Sequence, residues 1–172
     1  IIPYLRGRVR SKDISKIEEE TKNLVKSGVK EIVVVGIEIA SYGKDLEDDI
    51  NLVDVIEKVS KIDGLERIRL GSIEPRILTT ENIIRLSKIK KLCNHFHISV
   101  QSLNNDVLKA MNRHYTVEDL FNITDKLKEY FENPALTCDI IVGFPGETED
   151  MFNETLKNAE KIGFYEVHTF KY

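Results

Sequence analysis

The stretch His95-Phe96-His97-Ile98-Ser99-Val100-Gln101 alternates polar and apolar residues without a break. Side chains alternate across a strand, so His95, His97, Ser99 and Gln101 share one face while Phe96, Ile98 and Val100 share the other. Three further stretches repeat the pattern. Arg67 and Arg69 oppose Ile68 and Leu70, Asp139 opposes Ile140 and Val142, and His168 opposes Val167. Each polar residue has an ordinary structural reading. His97 suits a hydrogen-bonded core histidine as well as a ligand, Arg67 and Arg69 can pair with a carboxylate such as Asp139, and Glu74 before Pro75 can cap a turn. Taken together, they place imidazole, guanidinium, carboxylate and amide groups toward one cavity. Buried groups of this kind need partners, and a polar ligand supplies them.

The second chemically suggestive stretch is Asp139 to Glu147, D-I-I-V-G-F-P-G-E. Its apolar first half reads as a strand buried in a parallel sheet. Gly143, Pro145 and Gly146 stop that strand, and Glu147-Thr148 opens an amphipathic helix reaching about Ile162. A strand, a glycine-rich turn and a helix start bring backbone N–H groups to the carboxyl edge of the sheet, where α/β folds bind ligands. A plain tight strand-to-helix connection fits the same residues.

Five strands carry these groups: Glu31 to Gly36, Arg67 to Ile73, His95 to Gln101, Leu136 to Val142 and Glu166 to Phe170. Helical periodicity fills the intervals. One helix, capped by Asp13 or Ser11, ends at Gly28, and a second carries Ile50, Val53, Ile56 and Val59. Others run from Thr79 or Thr80 through Lys91, from Asp106 to Met111, and from Thr116 to Phe131 with Leu120, Ile123, Thr124 and Leu127 as the buried stripe. Strand–helix alternation at this interval predicts a parallel sheet of βαβ units. A doubly wound sheet, covered on both faces, is apolar on both. Here one face is polar, which predicts an open barrel with helices outside and a ligand-accessible interior.

The 172 residues suffice for one domain, and 41% hydrophobic with 31% charged residues describe a globular chain. No apolar run approaches the about 20 residues that span a bilayer, so no membrane partner is expected and the cytoplasm is the default location. Cys93 and Cys138 match neither a disulfide framework nor a metal-ligand spacing, and Cys138 reads as a small core residue. The net charge of −4 argues against indiscriminate nucleic-acid binding. A local basic loop remains, with Arg6, Arg8, Arg10 and Lys12 following Ile1-Ile2-Pro3-Tyr4; it reads equally as a phosphate-contacting loop and as a solvated arm.

Several of these segments, in this order, resemble the radical S-adenosylmethionine (SAM) methylthiotransferases. Ile1 to Tyr4, Arg6-Gly7-Arg8 and Arg10-Ser11 are similar to the segment that follows the third cysteine of the family's C-x-x-x-C-x-x-C motif. Gly36 with Ser41-Tyr42-Gly43, Ser72-Ile73-Glu74-Pro75, His97 to Ser102, Leu108-Lys109 with Met111-Asn112-Arg113, and Asp139 to Thr148 complete the match across all 172 residues. Ser99-Val100-Gln101-Ser102 and Met111 to Thr116 resemble the branch acting on N6-threonylcarbamoyladenosine in tRNA; the isopentenyladenosine branch more often has proline at the position of Ser99.

The resemblance implies a partial TIM-like (β/α) barrel with about five of six strands, the first strand and cluster loop lying before Ile1, and residues 1–172 forming a core domain cut at both ends. It implies SAM and two [4Fe–4S] clusters in the full-length enzyme, none ligated by this stretch, whose cluster cysteines would precede Ile1. It also implies the tRNA anticodon stem-loop as substrate and a reductant as electron donor. Carried over by position, Gly36 would lie near the methionyl end of SAM. Glu74, Ser99 and Gln101 would face its polar groups, and Arg113 its carboxylate. Asp139 to Gly143 would pass under the adenine, with Phe144 and Pro145 shaping the pocket. Arg6, Arg8 and Arg10 would lie near the cluster and the tRNA phosphates.

Two departures stand out. Leu103-Asn104-Asn105 replaces a glycine-led turn, and with no cluster cysteines the stretch alone should not cleave SAM. The rival readings are isopentenyladenosine tRNA or a ribosomal protein as substrate, a non-catalytic binding module, and a phosphate-binding barrel enzyme using the Gly143 to Gly146 turn.

Overall fold

A computed structural model describes residues 5, 7–36, 39–47 and 50–172. Thirteen residues from Ile14 to Lys26 form α1, capped by Asp13, whose carboxylate accepts from the Ser15 and Lys16 N–H groups. In chain order there follow β1 (Glu31–Val34), α2 (Leu52–Ser60), β2 (Arg67–Leu70), α3 (Thr80–Ser87), β3 (His95–Gln101), α4 (Asn105–Ala110), α5 (Val117–Tyr130), β4 (Ala135–Val142), α6 (Glu149–Ile162) and β5 (Glu166–Lys171). Short 3-10 turns lie at Ile39–Ser41 and Pro75–Ile77.

Every strand pair is parallel. β1 pairs with β2, and β3, β4 and β5 pair in sequence order. Isolated bridges from Ile68 to Leu92 and from Ile73 to Ile98 join the two groups. Neighbours in the sheet are therefore neighbours in the chain, each parallel step being bridged by helix, which is the geometry of a barrel wall. No helix among the described residues is long and apolar enough to cross a membrane.

The alternation seen in the sequence sorts the two faces. Phe96, Ile98 and Val100 are completely buried beneath the helices, together with Ile68, Leu70, Leu136, Cys138 and Ile140. Phe96 meets Phe131 edge-on, with ring centroids 4.7 Å apart. The opposite, concave face holds Arg69, His95, His97, Ser99 and Asp139, all half-buried. Helix stripes match it: Val53, Ile56 and Val59 of α2, Ile83 and Leu86 of α3, and Leu120 and Leu127 of α5 are buried. Capping boxes at Asn51 and Thr116 start α2 and α5.

Several expectations change, among them the end of β1 at Val34 rather than Gly36. The helix α3 stops at Ser87 rather than Lys91, because the next residues tighten into turns from Ile89 N–H to Leu86 C=O and from Leu92 N–H to Ile89 C=O. The strand β2 ends at Leu70, short of Ile73. Arg67 and Arg69 do not pair with Asp139. Parallel register puts Glu31 beside Arg67, and the Glu31 carboxylate receives Arg67 Nε at 2.5 Å and Arg69 Nε at 3.5 Å.

Candidate functional site

The C-terminal end of β3 breaks from regular geometry. Ile98 pairs with Cys138, but Gln101 already pairs with Ile140, so the strand bulges at Ser99-Val100. Bulges re-aim side chains and recur beside sites. Gln101 then adopts a φ of 67°, a left-handed conformation that strains a residue other than glycine.

What holds this arrangement is Tyr115. Its hydroxyl donates to the Ser99 carbonyl at 2.9 Å and the Val100 carbonyl at 3.1 Å. Only 6% of the residue is exposed, and burial pushes the phenol up to about 12. Arg113, Glu74 and Arg76 are all close enough to act electrostatically on that hydroxyl. Arg113 follows α4 and is half-buried, and its Nε is a buried donor with no hydrogen-bond partner among the described residues. A buried cationic donor left open is a place for a carboxylate.

Glu74 comes from the loop after β2 and is brought to the bulge by its neighbour Ile73, whose N–H and C=O bond to His97 and Ser99. Its carboxylate is already engaged: it caps the 3-10 turn at Arg76 N–H (3.2 Å) and pairs with Arg76 Nε at 2.7 Å. Tyr115 thus holds the Ser99 carbonyl with Glu74 and Arg113 in electrostatic reach, and Gln101 follows directly on the clamped Val100. Gly36 lies apart, two residues past β1, where a Cβ would meet Ile39 Cγ2 at 2.8 Å.

The Gly143 turn is closed on itself. Gly143 has φ 78°, and its N–H donates to Glu147 Oε2 at 2.6 Å. Thr148, not Glu147, caps α6, and the first helical turn carries Glu149 and Asp150. With that N–H taken and two carboxylates at the helix start, the turn is a poor phosphate cradle, and the phosphate-ester reading loses its support. Phe144 faces Tyr172, with ring centroids 5.0 Å apart, and Pro145 is exposed.

Deeper in the concave face, Asp139 binds two imidazoles. His97 Nε2 lies 3.1 Å from Oδ2, and His168 Nδ1 lies 3.4 Å from Oδ1. Thr137 Oγ1 sits 2.8 Å from His97 Nδ1 and 3.4 Å from His95 Nε2. Desolvation, with Arg69 and His97 nearby, holds His95 below the usual histidine range.

The loop Leu103-Asn104-Asn105 is pinned rather than open. Asn104 caps α4 and donates to Glu154, Asn158 donates to the Leu103 carbonyl, and the Leu103 N–H reaches Thr155. Arg8 and Arg10 are exposed, while Arg6 lies outside the described residues.

The two cysteines do not form a cluster site. Cys138 is buried on the apolar face, and burial pushes its thiol up to about 12, against the thiolate that a cluster needs. Sequence reasoning missed the roles of Tyr115, Glu31 and His168. Strand parity had put His97, Asp139 and His168 on one class of face; only the pairing of Asp139 with His168 brings them into contact.

Comparison with known proteins gives one consistent result. The model of the radical SAM superfamily matches residues 2–159. A tRNA-2-methylthio-N(6)-dimethylallyladenosine synthase of Clostridium tetani is 48% identical over all 172 residues, and one of Caldicellulosiruptor saccharolyticus is 45% identical over the same span. The chain covers 38% and 36% of these two relatives. Among solved structures, a radical SAM methyltransferase from Kitasatospora setae aligns over 93% of the chain and 31% of its own, with TM-score 0.74 at 13% identity. The coproporphyrinogen III oxidase of Escherichia coli aligns over 96% of the chain and 39% of its own, with TM-score 0.67 at 17% identity. At such identities these structures speak for the fold alone.

Proposed function

The chain belongs to the radical SAM superfamily, whose cofactors are SAM and a [4Fe–4S] cluster, and we propose that residues 1–172 are the core domain of a tRNA methylthiotransferase. The substrate is N6-dimethylallyladenosine in the anticodon stem-loop, the product its 2-methylthio derivative, and the place of action the cytoplasm. The observation that carries this reading is the 48% identity, over all 172 residues, to a synthase bearing that product in its name. It replaces the threonylcarbamoyladenosine branch expected from Ser99 and its neighbours. That expectation weighed a few positions beside the bulge, while the identity runs over all 172 residues.

Bound together, the cofactors supply hydrogen-atom abstraction and sulfur insertion. The chain's own residues bind and orient. Tyr115 fixes the β3 bulge and so aims Ser99 and Gln101 at the polar groups of SAM. The open Arg113 Nε receives the SAM carboxylate. Glu74, held by Arg76, faces the same volume, and Gly36 leaves room at the end of β1. Asp139 to Gly143 form the floor under the adenine, and Phe144 and Pro145 form one wall. Arg6, Arg8 and Arg10 meet tRNA phosphates, which positions the stem-loop without reading its sequence. A separate reductant delivers the electron.

The test uses the full-length protein, reconstituted anaerobically with iron and sulfide and reduced in the presence of SAM. It is incubated with tRNA carrying either N6-dimethylallyladenosine or N6-threonylcarbamoyladenosine, and the digested nucleosides are read by mass spectrometry. Methylthiolation of the dimethylallyl nucleoside alone is expected. Modification of the threonylcarbamoyl nucleoside alone refutes the substrate, and absence of product on both tRNAs refutes the activity.

A further inference from the structure

Three ligand-type side chains converge from three neighbouring strands: His97 of β3, Asp139 of β4 and His168 of β5. Each offers one donor atom, and the three atoms lie within 4.8 Å of one another. Around a tetrahedral ion with bonds of about 2.0–2.2 Å, donors stand about 3.4 Å apart. His97 Nε2 lies 3.1 Å from Asp139 Oδ2 and His168 Nδ1 lies 3.4 Å from Oδ1, so the carboxylate sits between the imidazoles with one oxygen toward each, and a single shared oxygen is reached by a small turn of the carboxylate. The remaining gap lies between two imidazoles whose ring centroids are 5.2 Å apart.

A second observation concerns the nitrogens that face away. Imidazoles that bind metals have their other nitrogen held by a hydroxyl, carbonyl or carboxylate, which fixes tautomer and orientation. His97 has such a partner, and His168 has a longer contact with an exposed carboxylate. His97 Nδ1 is 2.8 Å from Thr137 Oγ1, and His168 Nε2 is 3.4 Å from Glu166 Oε1. Thr137 is buried and also touches His95 Nε2, so the hydroxyl is itself fixed. An ion at the shared centre would displace a proton from Nε2 and leave Nδ1–H donating to Thr137 Oγ1, 2.8 Å away. A carboxylate needs only one imidazole for a stable pair. Here a second arrives, with its own orienting carboxylate.

Exposure grades across the trio. The side chains of His97 and Asp139 are 14% and 21% exposed, while that of His168 is 44% exposed. Two donors therefore sit in a largely dry wall, and the open side faces the concave interior.

We infer that His97, Asp139 and His168 form a binding site for a divalent transition ion of the zinc(II) class. Two neutral imidazoles and one carboxylate hold it, and a fourth position stays open to the interior. The donors are nitrogen and oxygen, so the site is chemically distinct from a thiolate-held iron–sulfur cluster; it adjoins the proposed adenine floor through Asp139 and stands whichever nucleoside is the substrate.

The test uses full-length protein with its clusters reconstituted, equilibrated anaerobically with zinc sulfate and desalted. Zinc and iron per chain are then measured by plasma mass spectrometry for the wild type, His168→Ala and Asp139→Asn. The wild type should retain about one zinc per chain more than either variant at equal iron. Circular dichroism checks the fold of both variants. Equal zinc in wild type and His168→Ala overturns the site, and so does a wild type that retains none.

Discussion

Replacing Tyr115 with Phe removes one oxygen atom and leaves the packing volume nearly unchanged. The lost hydroxyl donates to the carbonyls of Ser99 and Val100, at 2.9 and 3.1 Å. Val100 keeps an acceptor role toward the Ser102 N–H at 2.9 Å, so the main penalty falls on the Ser99 carbonyl. A buried acceptor deprived of its donor costs about 1–3 kcal/mol. For a chain of this size that corresponds to a lowering of Tm by about 4–8 °C at about 2 kcal/mol. A pH signature accompanies it. The phenol rises from 10.0 to about 12 on folding, so the unfolded chain releases this proton first and stability falls as pH rises through that window. Two units correspond to about 2.7 kcal/mol, lost by pH 12 in the wild type and absent from the variant. Urea unfolding from pH 8 to 11.5, followed by circular dichroism, measures both effects. Because the bulge aims Ser99 and Gln101, SAM should also bind the full-length variant about tenfold more weakly, measured by calorimetry. A variant with wild-type stability, the same alkaline slope and the same SAM affinity would refute the clamp.

Arg113→Ala removes the open buried donor, and SAM affinity in the full-length protein should fall about 10- to 100-fold with little change in Tm; unchanged affinity excludes the contact. Gln101→Gly relieves a left-handed φ of 67° and should raise stability by about 1 kcal/mol while weakening SAM binding, so a loss of stability on denaturation would show that the conformation is unstrained. Arg85 joins α2 to α3 through Asp54 at 2.6 Å and Glu57 at 2.8 Å, and its guanidinium holds Glu57 below the usual carboxylate range. Arg85→Gln should cost about 1 kcal/mol near neutral pH, and the difference from wild type should shrink as pH falls below the ordinary carboxylate range, where Glu57 of the unfolded chain protonates first, and vanish once the folded carboxylate, held lower, is protonated too. Cys138, buried with its thiol raised to about 12, should resist iodoacetamide at pH 8 until the protein is unfolded, while half-buried Cys93 reacts first; mass spectrometry of the labelled peptides decides.

Much of the wall of the barrel was legible because local rules govern it. Alternation in His95 to Gln101 set the faces of β3, and Asp13, Thr116 and Thr148 announced helix starts through side-chain caps. What stayed hidden depends on register between strands. That Arg67 meets Glu31 rather than Asp139 follows from which residues of β1 lie beside β2, and no periodicity encodes it. The same holds for His168 beside Asp139, and for Tyr115, whose hydroxyl crosses fifteen residues of chain to reach Val100. The Gly143 turn misled in a different way. Its glycines fit an open cradle, but Glu147, four residues on, occupies the N–H. The substrate branch was the least legible, since Ser99 to Ser102 and Met111 to Thr116 were asked to speak for a whole binding surface.

The alternation in the wall also bears on how such a protein can change over time. In β3, even-numbered residues are completely buried under the helices and carry the packing, while odd-numbered ones look into the interior. Mutations of the two kinds are then nearly uncoupled, because neighbours in sequence point to opposite worlds. Interior positions can drift toward a new ligand without eroding the hydrophobic support beneath them. A scaffold built this way can host many chemistries with little loss of stability, and its shape outlives recognisable sequence, as the alignments at 13% and 17% identity illustrate.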